Sequence, residues 1–349
     1  MSEPGVPRLS SEAVDAADPT LVHFEVEPGY AGWTLSAYVA EKLRRPLAPE
    51  RLDRLLRGRS LVHREQELLP ETRIWTGLRF ALRKRSPGDE GEPPNIPVVY
   101  EDDALLVVDK PAGLALHPTA RYHLSTLTRA LETRHRNAAG QKPDPAHRLD
   151  RETSGLVACG RDPIHTRALK ASFAARAVEK SYLALVEGEP PDGELNVDAP
   201  LSVGTERIKV MVRVDPAGMP AATSFRVVSR YRDAAGLPLA LLRCVPRTGR
   251  QHQIRAHLKA GGFPLVGDKL YGPDEGIFLK LAESGGAPAP RGEFDPLLTA
   301  TERARLRHFR QALHADVLVL PHPATGERMR FSSPLPDDLE QLVATLRPA

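Results

Sequence analysis

A stretch rich in proline, glycine and acidic residues, SPGDEGEPPN at positions 86–95, divides the chain into a short and a long part. It has no hydrophobic periodicity, so it predicts a linker over residues 86–96. A length of 349 residues also exceeds the about 250–300 at which one core usually separates into domains. We therefore expect a disordered tail at 1–20, a small domain at 21–85 and a larger domain at 97–349.

The short part combines two helical segments, LSAYVAEKL and RLDRLLRG, with strand-like text after Gly58. Between Glu41 and Arg85 there are 13 Lys or Arg residues and 6 Asp or Glu residues, although the net charge of the whole chain is only +3. A local basic excess favours a polyanionic partner bound on one face. We expect a small α/β nucleic-acid-binding module, and the alternative is a structural cap with solvated basic helices.

Three features bear on the compartment. Residues 1–20 are acidic and rich in small side chains, and they lack the basic and apolar regions of a signal peptide. Cys159 and Cys244 each lie in an apolar run, which predicts buried reduced thiols rather than a disulfide framework or a thiolate zinc site. No apolar run approaches the about 20 residues of a membrane span. We therefore expect a cytoplasmic protein with no membrane contact.

The long part alternates short apolar strand-like segments with a few helices. VVYE and ALLVVDK predict two strands joined at an acidic turn, Asp162 and Pro163 predict a helix start, and residues 324–326 predict a hairpin turn. Few of the spacings allow crossover helices, so the pattern predicts an α+β fold with a mixed, largely antiparallel sheet. The Gly- and Pro-rich residues 272–298 predict an inserted surface loop.

The segment HRLDRETSGL, residues 147–156, is too polar for a core and too rich in Ser and Gly for a helix. It predicts a loop that leads into a strand. Arg148 and Arg151 flank Asp150, and nearby positive charge would lower the pKa of that carboxyl group. The alternative interpretation is a surface loop with a weak solvated ion pair.

A second basic segment, TGRQHQIRAHLKAGG, predicts a helix. Thr248 and Gln251 fit a capping box at its start. Helical spacing then places Arg255 on a polar face together with His252 and Lys259. Considered alone, Arg255 would usually be a solvated cation.

The segment EKSYLALVEG predicts a strand whose one face carries Lys180 and Tyr182 and then turns apolar, as it would if one end emerged at a cleft. Considered alone, Tyr182 is more often a core tyrosine. The KPAG segment, residues 110–113, predicts a structural turn, because it lacks the glycine spacing of a phosphate loop. No carboxylate or thiol completes a ligand spacing with the histidines, so we expect no metal site.

Four segments in this order carry a resemblance: KPAG (110–113), HRLDRETSGL (147–156), EKSYLALVEG (179–188) and GRQHQIRAH (249–257). Together with the later ALHA text, they resemble the RluA-type pseudouridine synthases from about residue 97 to residue 335. These RNA-modifying enzymes isomerise uridine without breaking the chain. Residues 21–85 resemble, more weakly, the small RNA-binding domain that many relatives carry.

The resemblance implies a catalytic domain whose sheet is split by a cleft, and it implies roles for four residues. Asp150 matches the catalytic aspartate, and Arg255 matches the arginine that pairs with it. Tyr182 matches the active-site tyrosine, whose ring packs on the uracil and whose hydroxyl assists proton transfer. Arg148 matches the arginine that fills the gap left by the flipped-out nucleotide, so Arg148, Tyr182 and Arg255 would also bind RNA.

The expected function is therefore a cofactor-free, monomeric enzyme that converts uridine to pseudouridine in ribosomal or transfer RNA. Asp150 could act either as a nucleophile or as a base at the sugar. A non-catalytic RNA-binding or ribosome-assembly protein on the same fold is the alternative, although Asp150, Tyr182 and Arg255 are all present. A small-molecule hydrolase using Asp150 and His252 is a third interpretation, but no serine or cysteine stands in a nucleophile setting.

Overall fold

The computed structural model describes residues 21–43, 49–57, 61–62, 68–83, 94–118, 125–204, 208, 210–283 and 292–349. The tail predicted at 1–20 and most of the linker predicted at 86–96 lie outside these ranges. The described residues before Asp89 form one compact unit, and those after Glu90 form a second. No helix within the described ranges is long and apolar enough to cross a bilayer.

The smaller unit is a three-stranded antiparallel sheet with two helices. Its strands follow the order β1-β3-β2. Thr34 begins the first helix, because its hydroxyl accepts a hydrogen bond from the backbone N–H of Ala37 at 3.2 Å. Tyr38 and Phe80 are almost fully buried at the centre of this unit. The elements are β1 (Leu21–Glu25), a 3-10 helix (Pro28–Tyr30), α1 (Leu35–Lys42), α2 (Pro49–Arg57), β2 (Leu61–Val62) and β3 (Arg79–Arg83).

The larger unit contains one large sheet, a separate two-stranded sheet and helices. Its first half contains β4 (Val98–Glu101), β5 (Leu105–Lys110), α3 (Leu127–Arg134), β6 (Asp144–Pro145), β7 (Ser154–Gly160), α4 (Pro163–Ala174) and β8 (Glu179–Glu187). Its second half contains β9 (Glu194–Asp198), β10 (Leu201–Val203), β11 (Val212–Val214), β12 (Ala222–Arg232), β13 (Pro238–Pro246), α5 (Gln253–Ala260), α6 (Glu275–Glu283), α7 (Ala300–Leu306), β14 (Leu313–Pro321), β15 (Arg328–Ser332), α8 (Asp337–Ala344) and β16 (Arg347–Pro348).

Eleven of the described strands join in one sheet along the order β16-β12-β13-β8-β14-β7-β5-β4, with β15, β6 and β9 paired at its sides. Among these pairings, β7 and β14 run parallel and the others run antiparallel. The predicted α+β fold with a mixed, largely antiparallel sheet is confirmed. The hairpins β4–β5 and β14–β15 also occur where the sequence predicts them.

The parallel contact between β7 and β14 depends on glycine at one position. Gly155 has a φ of 113°, and a Cβ atom there would lie 2.3 Å from the carbonyl oxygen of Ala315. A side chain would therefore push β14 away from β7. Because β7 begins at Ser154, directly after the polar loop, this contact helps to fix where the loop emerges from the sheet.

Two helix predictions have different outcomes. Asp162 caps α4 by accepting hydrogen bonds from the N–H groups of Ile164 and His165, and Pro163 is the first helical residue, as predicted. The surface loop predicted at 272–298 instead contains α6 in its described part. The reason is apolar packing, because Ile277 of that helix is buried against Leu298 and Leu306.

The two cysteines match the prediction. Cys159 on β7 and Cys244 on β13 are free thiols with no exposed surface. Burial raises the pKa of both thiols, so they stay protonated and unreactive.

Candidate active site

The loop that carries Asp150 joins β6 to β7 and is held at several points. The ammonium group of Lys110, which is fully buried, donates hydrogen bonds to the carbonyl oxygens of Leu114 at 3.0 Å and Arg151 at 3.1 Å. The backbone N–H of Gly113 donates to the same Arg151 carbonyl at 2.8 Å. The KPAG segment is thus a turn whose lysine ties it to the loop. These bonds place the backbone next to Asp150.

The other side of the loop is anchored from the segment before β14. Arg310 donates from Nη1 to the carbonyl oxygen of Glu152 at 3.1 Å, and Gln311 donates to the hydroxyl of Thr153 at 2.7 Å. The Glu152 carboxylate accepts a hydrogen bond from Lys269 at 2.7 Å. With both sides held, the Asp150 side chain projects from a rigid backbone.

Asp150 contacts Arg255, although the two residues are 105 positions apart in the chain. The Arg255 Nη1 donates to Asp150 Oδ2 at 2.9 Å. Burial alone would raise the pKa of Asp150, but the charge and hydrogen bond of Arg255, together with the charge of Arg148, outweigh it and lower that pKa below its usual value. The carboxyl group is therefore ionised at neutral pH, which is the form that a nucleophile or a base requires.

Arg255 is itself held by a residue that the sequence analysis did not identify. The carboxylate of Asp268 accepts hydrogen bonds from Arg255 Nε at 2.7 Å and from Nη2 at 2.9 Å. Asp268 Oδ1 also accepts from the backbone N–H groups of Leu270 and Tyr271, each at 2.9 Å. This carboxylate is fully buried, so its charge is balanced by Arg255 and by two backbone dipoles.

The predicted start and exposure of the Arg255 helix are wrong. Helix α5 begins at Gln253, and its N-cap is His252 in a left-handed conformation with φ 52°. Thr248 does not cap it. The Thr248 hydroxyl instead donates to the side chain of Gln253 at 2.6 Å. Arg255 is only 7% exposed and lies on a buried side of the helix, because two carboxylates inside the protein compensate its charge.

Tyr182 lies on β8, directly opposite Cys244 of β13. Its side chain is buried, and it packs with the main core of the larger unit. Burial raises the pKa of the Tyr182 hydroxyl, and the charge of Asp150 raises it further. The phenol is therefore neutral and able to donate a proton or hydrogen bond.

The four predicted site residues line one cavity of about 730 Å³, together with His147 and the residues that precede α5. Asp150 and Tyr182 are largely buried there, whereas Arg148 is exposed. In the described structure, the Arg148 guanidinium makes no ion pair or hydrogen bond. It is therefore free to bind a ligand at the mouth of the cavity.

The cavity wall is strongly basic. Glu179, the one lining acid besides Asp150, is paired with Arg328. A concave surface with this charge attracts anions and concentrates them near Asp150. The basic side chains that line it are Arg148, Arg176, Lys180, Arg247, Arg250 and Arg255.

Two more aromatic or imidazole groups complete the surroundings of Asp150. Tyr271 places its ring 4.9 Å from the Arg255 guanidinium carbon, and its hydroxyl lies 3.1 Å from Nδ1 of His252. From the sequence, His252 was expected on the polar face of the Arg255 helix and was considered as a hydrolase base, and Tyr271 was not identified. The signal available for Asp268 and Tyr271 was an acid and a tyrosine in the short segment LVGDKLY, residues 265–271. Within the described residues, no group of three His, Cys, Asp or Glu side chains could hold a metal ion.

Known proteins resemble this chain in sequence. A family model described as RNA pseudouridylate synthase matches residues 104–260. Ribosomal large subunit pseudouridine synthase D of Xanthomonas campestris pv. campestris is 41% identical over 260 residues, which are 73% of this chain and 71% of that protein. The protein of the same name from Zymomonas mobilis is 32% identical over 330 residues, which are 90% of this chain and 94% of its own.

A solved structure shares the fold. Human RNA pseudouridylate synthase domain containing 1 superposes with a TM-score of 0.55 at 25% identity, over 74% of this chain and 91% of that one. The identity to the bacterial relatives extends over more than two thirds of their length. The chain therefore belongs to the RluA-type RNA pseudouridine synthase family, and it is an isomerase that acts on uridine in RNA.

Proposed function

We propose that this enzyme modifies ribosomal RNA and that Asp150 is its catalytic residue. The observation that carries the proposal is the 2.9 Å pair between Asp150 Oδ2 and Arg255 Nη1 inside a cavity lined with cations. A buried carboxylate held ionised in this way has the reactivity that the reaction needs. The RNA class is taken from the names of the relatives, which are ribosomal large subunit pseudouridine synthases.

The reaction must cut the bond between ribose and N1 of uracil, turn the base and rejoin it through C5. An ionised Asp150 serves this chemistry either by attacking the sugar or by removing a proton from it. Arg255 keeps the carboxylate charged and aimed. Tyr182 packs against the uracil and its neutral hydroxyl assists proton transfer. These groups all belong to the chain, so the proposal requires no cofactor.

The target uridine must leave its base stack to reach a buried carboxylate, which costs a few kcal/mol. Arg148 is exposed at the cavity and unpaired among the described residues. Its planar guanidinium can fill the space of the extruded base and can bind phosphate. In this proposal, the cleft in the sheet is the RNA groove and Arg148 stabilises the flipped state.

The smaller unit supplies further RNA affinity in this proposal, through basic side chains that contact phosphates. We also propose that the enzyme is a cytoplasmic monomer. The cytoplasm is supported by the names of the relatives, which refer to the ribosomal large subunit, and by Cys159 and Cys244, which are free buried thiols as in a reducing compartment. Because the smaller unit contacts phosphates in this proposal, deletion of residues 1–85 should weaken RNA binding and flatten its salt dependence.

The decisive experiment maps pseudouridines in total RNA from cells with the gene, without it, and with an Asp150→Asn copy. We expect specific sites in large-subunit ribosomal RNA to disappear on deletion and to stay absent with Asp150→Asn. Asparagine keeps the shape of the side chain but removes its charge. Restoration of the modified sites by Asp150→Asn would overturn the catalytic assignment. Loss of sites only in transfer RNA would overturn the ribosomal assignment.

A further inference from the structure

The hydroxyl group of Tyr271 lies between two nitrogen atoms. The backbone N–H of Val212 donates to it at 2.7 Å, and His252 Nδ1 lies 3.1 Å away. Tyr271 is only 2% exposed. A phenol has one proton to donate, and a buried hydroxyl needs a partner for it. Since Val212 already supplies the hydrogen bond that the oxygen accepts, the Tyr271 proton goes to His252 Nδ1.

That assignment decides where His252 carries its own proton. A neutral imidazole whose Nδ1 accepts a hydrogen bond is protonated on Nε2. His252 Nε2 faces Asp150 Oδ2 at 3.8 Å. Burial and the charges of Arg255 and Arg148 together lower the pKa of His252 to about 4, although the charges of Asp150 and Asp268 oppose them. The ring is thus neutral at physiological pH, with an N–H directed at the carboxylate.

The backbone conformation of His252 is also unusual. Its φ of 52° is rare for a residue with a side chain, and it sits at the N-cap of α5 without capping that helix. Strain of this kind persists where the surroundings hold a residue for a function. The conformation sets the imidazole edge-on to the Tyr271 ring, with centroids 5.7 Å apart at 85°.

Two donors therefore point towards the same oxygen of the Asp150 carboxylate. Arg255 Nη1 bonds to Oδ2 at 2.9 Å, and His252 Nε2 approaches Oδ2 from a second direction. In the described structure, Asp150 Oδ1 accepts no hydrogen bond. A separation of 3.8 Å is longer than a hydrogen bond, and such contacts tighten when substrate closes a site.

We propose that His252 is a positioning residue for Asp150, held by Tyr271 as the neutral tautomer with its proton on Nε2. Restraining Oδ2 from two sides leaves Oδ1 as the oxygen that meets the ribose. The inference deepens the proposed function, since it rests on Asp150 being the reactive group. It assigns to His252 and Tyr271 the task of aiming that group.

The tautomer can be read without RNA or activity. The full-length enzyme is labelled with nitrogen-15 histidine, and the His252→Asn variant identifies the His252 ring signals by their loss. Asparagine is chosen because it tolerates left-handed backbone. Between about pH 5.5 and 8 we expect a protonated Nε2 and an unprotonated Nδ1 that do not titrate. A proton on Nδ1, or titration near the ordinary value of about 6.5, would overturn the proposal.

The activity arm measures steady-state kinetics on in vitro transcribed large-subunit ribosomal RNA. His252→Asn should lower kcat about 10- to 100-fold with little change in KM, the effect of losing a hydrogen bond to a charged group. His252→Gln should restore part of this loss, because its terminal amide nitrogen replaces Nε2. Tyr271→Phe removes the donor to His252 Nδ1, so the nitrogen-15 signals should then show a mixture of the Nδ1- and Nε2-protonated forms.

The control removes an equivalent hydroxyl elsewhere. Tyr100 donates to Asp102 Oδ2 at 2.6 Å on β4, outside the lining of the cavity, so Tyr100→Phe should leave kcat unchanged. Wild-type turnover by His252→Asn would reject the positioning role while leaving Asp150 in place. Turnover by Asp150→Asn would instead reject the proposed function itself, so the two failures are distinct.

Discussion

Asp268 binds the Arg255 guanidinium along one edge, through Nε at 2.7 Å and Nη2 at 2.9 Å, and leaves Nη1 for Asp150. One arginine thus joins two carboxylates that are 118 positions apart in the chain. Because Asp268 is fixed by two backbone N–H groups, the guanidinium cannot rotate away from Asp150. The relationship makes the Asp150–Arg255 pair part of the buried framework of the larger unit.

Removal of the Asp268 charge should therefore destabilise the fold. Asp268→Asn leaves a buried guanidinium with half of its compensation, and we expect the free energy of unfolding to fall by about 3 kcal/mol. Urea denaturation followed by circular dichroism measures it. Asp192→Asn is the control, since the Asp192 side chain is 95% exposed and its pair with Arg230 should contribute at most about 1 kcal/mol. Equal stability of Asp268→Asn and wild type would contradict the account.

The pH dependence of turnover should report the Asp150–Arg255 pair. The pKa of Asp150 lies below the usual range of an aspartate, so the carboxylate is ionised at neutral pH and activity is lost only as pH falls through the lowered pKa. We expect kcat/KM to be flat from about pH 5 to 7. In Arg255→Gln, burial dominates and raises the pKa, so the acid limb should move upward by at least about one pH unit.

The measurement is a single-turnover pH profile, with circular dichroism at each pH to verify that the variant is folded. Arg328→Gln provides a matched control, because the Arg328 side chain is 59% exposed and pairs with Glu179 rather than Asp150. An acid limb at the same pH in wild type and Arg255→Gln would show that the guanidinium does not set the charge of Asp150.

Two substitutions of Tyr182 should separate the contribution of its ring from that of its hydroxyl group. Tyr182→Phe keeps the ring, so KM should stay close to wild type while kcat falls about 10²- to 10⁴-fold through loss of proton transfer. Tyr182→Leu also loses stacking on the uracil, which should weaken binding by about 1–3 kcal/mol. Steady-state kinetics resolve the two parameters. Tyr231, which lies on β12 and outside the lining of the cavity, provides the control as Tyr231→Phe. Full activity of Tyr182→Phe would restrict the role of Tyr182 to packing.

Arg148 should influence both RNA binding and extrusion of the base. Arg148→Ala loses one phosphate contact, so the slope of log K against log salt should decrease by about 0.7–0.9. A fluorescent base analogue next to the target uridine should also report slower or less complete flipping. Arg148→Lys should recover the salt slope but not the flipping signal, because an ammonium group is not planar. Arg347, exposed on β16, provides the control as Arg347→Ala. An unchanged salt slope and flipping signal in Arg148→Ala would remove Arg148 from the mechanism.

Much of the local structure was predictable from short-range chemistry. Asp162 and Pro163 begin α4 as their capping preferences predict, and the hairpin at residues 324–326 forms where turn residues separate two strands. The wrong predictions concern places where distant residues intervene. The Thr248 hydroxyl bonds to Gln253 instead of capping a helix, and α6 forms where Gly and Pro predicted a loop, because Ile277 finds a buried partner.

The candidate site, too, was predictable from the sequence only in part. Motif order and residue type pointed to Asp150, Arg148, Tyr182 and Arg255, and the fold brings all four to one cavity. Their environments were not predictable from spacing. Arg255 was expected on a solvated face, but it is buried between two carboxylates, a state that only partners remote in sequence can stabilise.

By itself, the sequence determined the family, the class of sheet and the candidate site residues, because these depend on residue type and on periodicities of a few residues. Tertiary structure decided how those side chains are charged and aimed. Asp268, Tyr271 and Val212 act on Asp150 through Arg255 and His252, and each contact joins separate segments of the chain. Burial and charge at a site depend on everything packed around it, so they exist only once those segments have met.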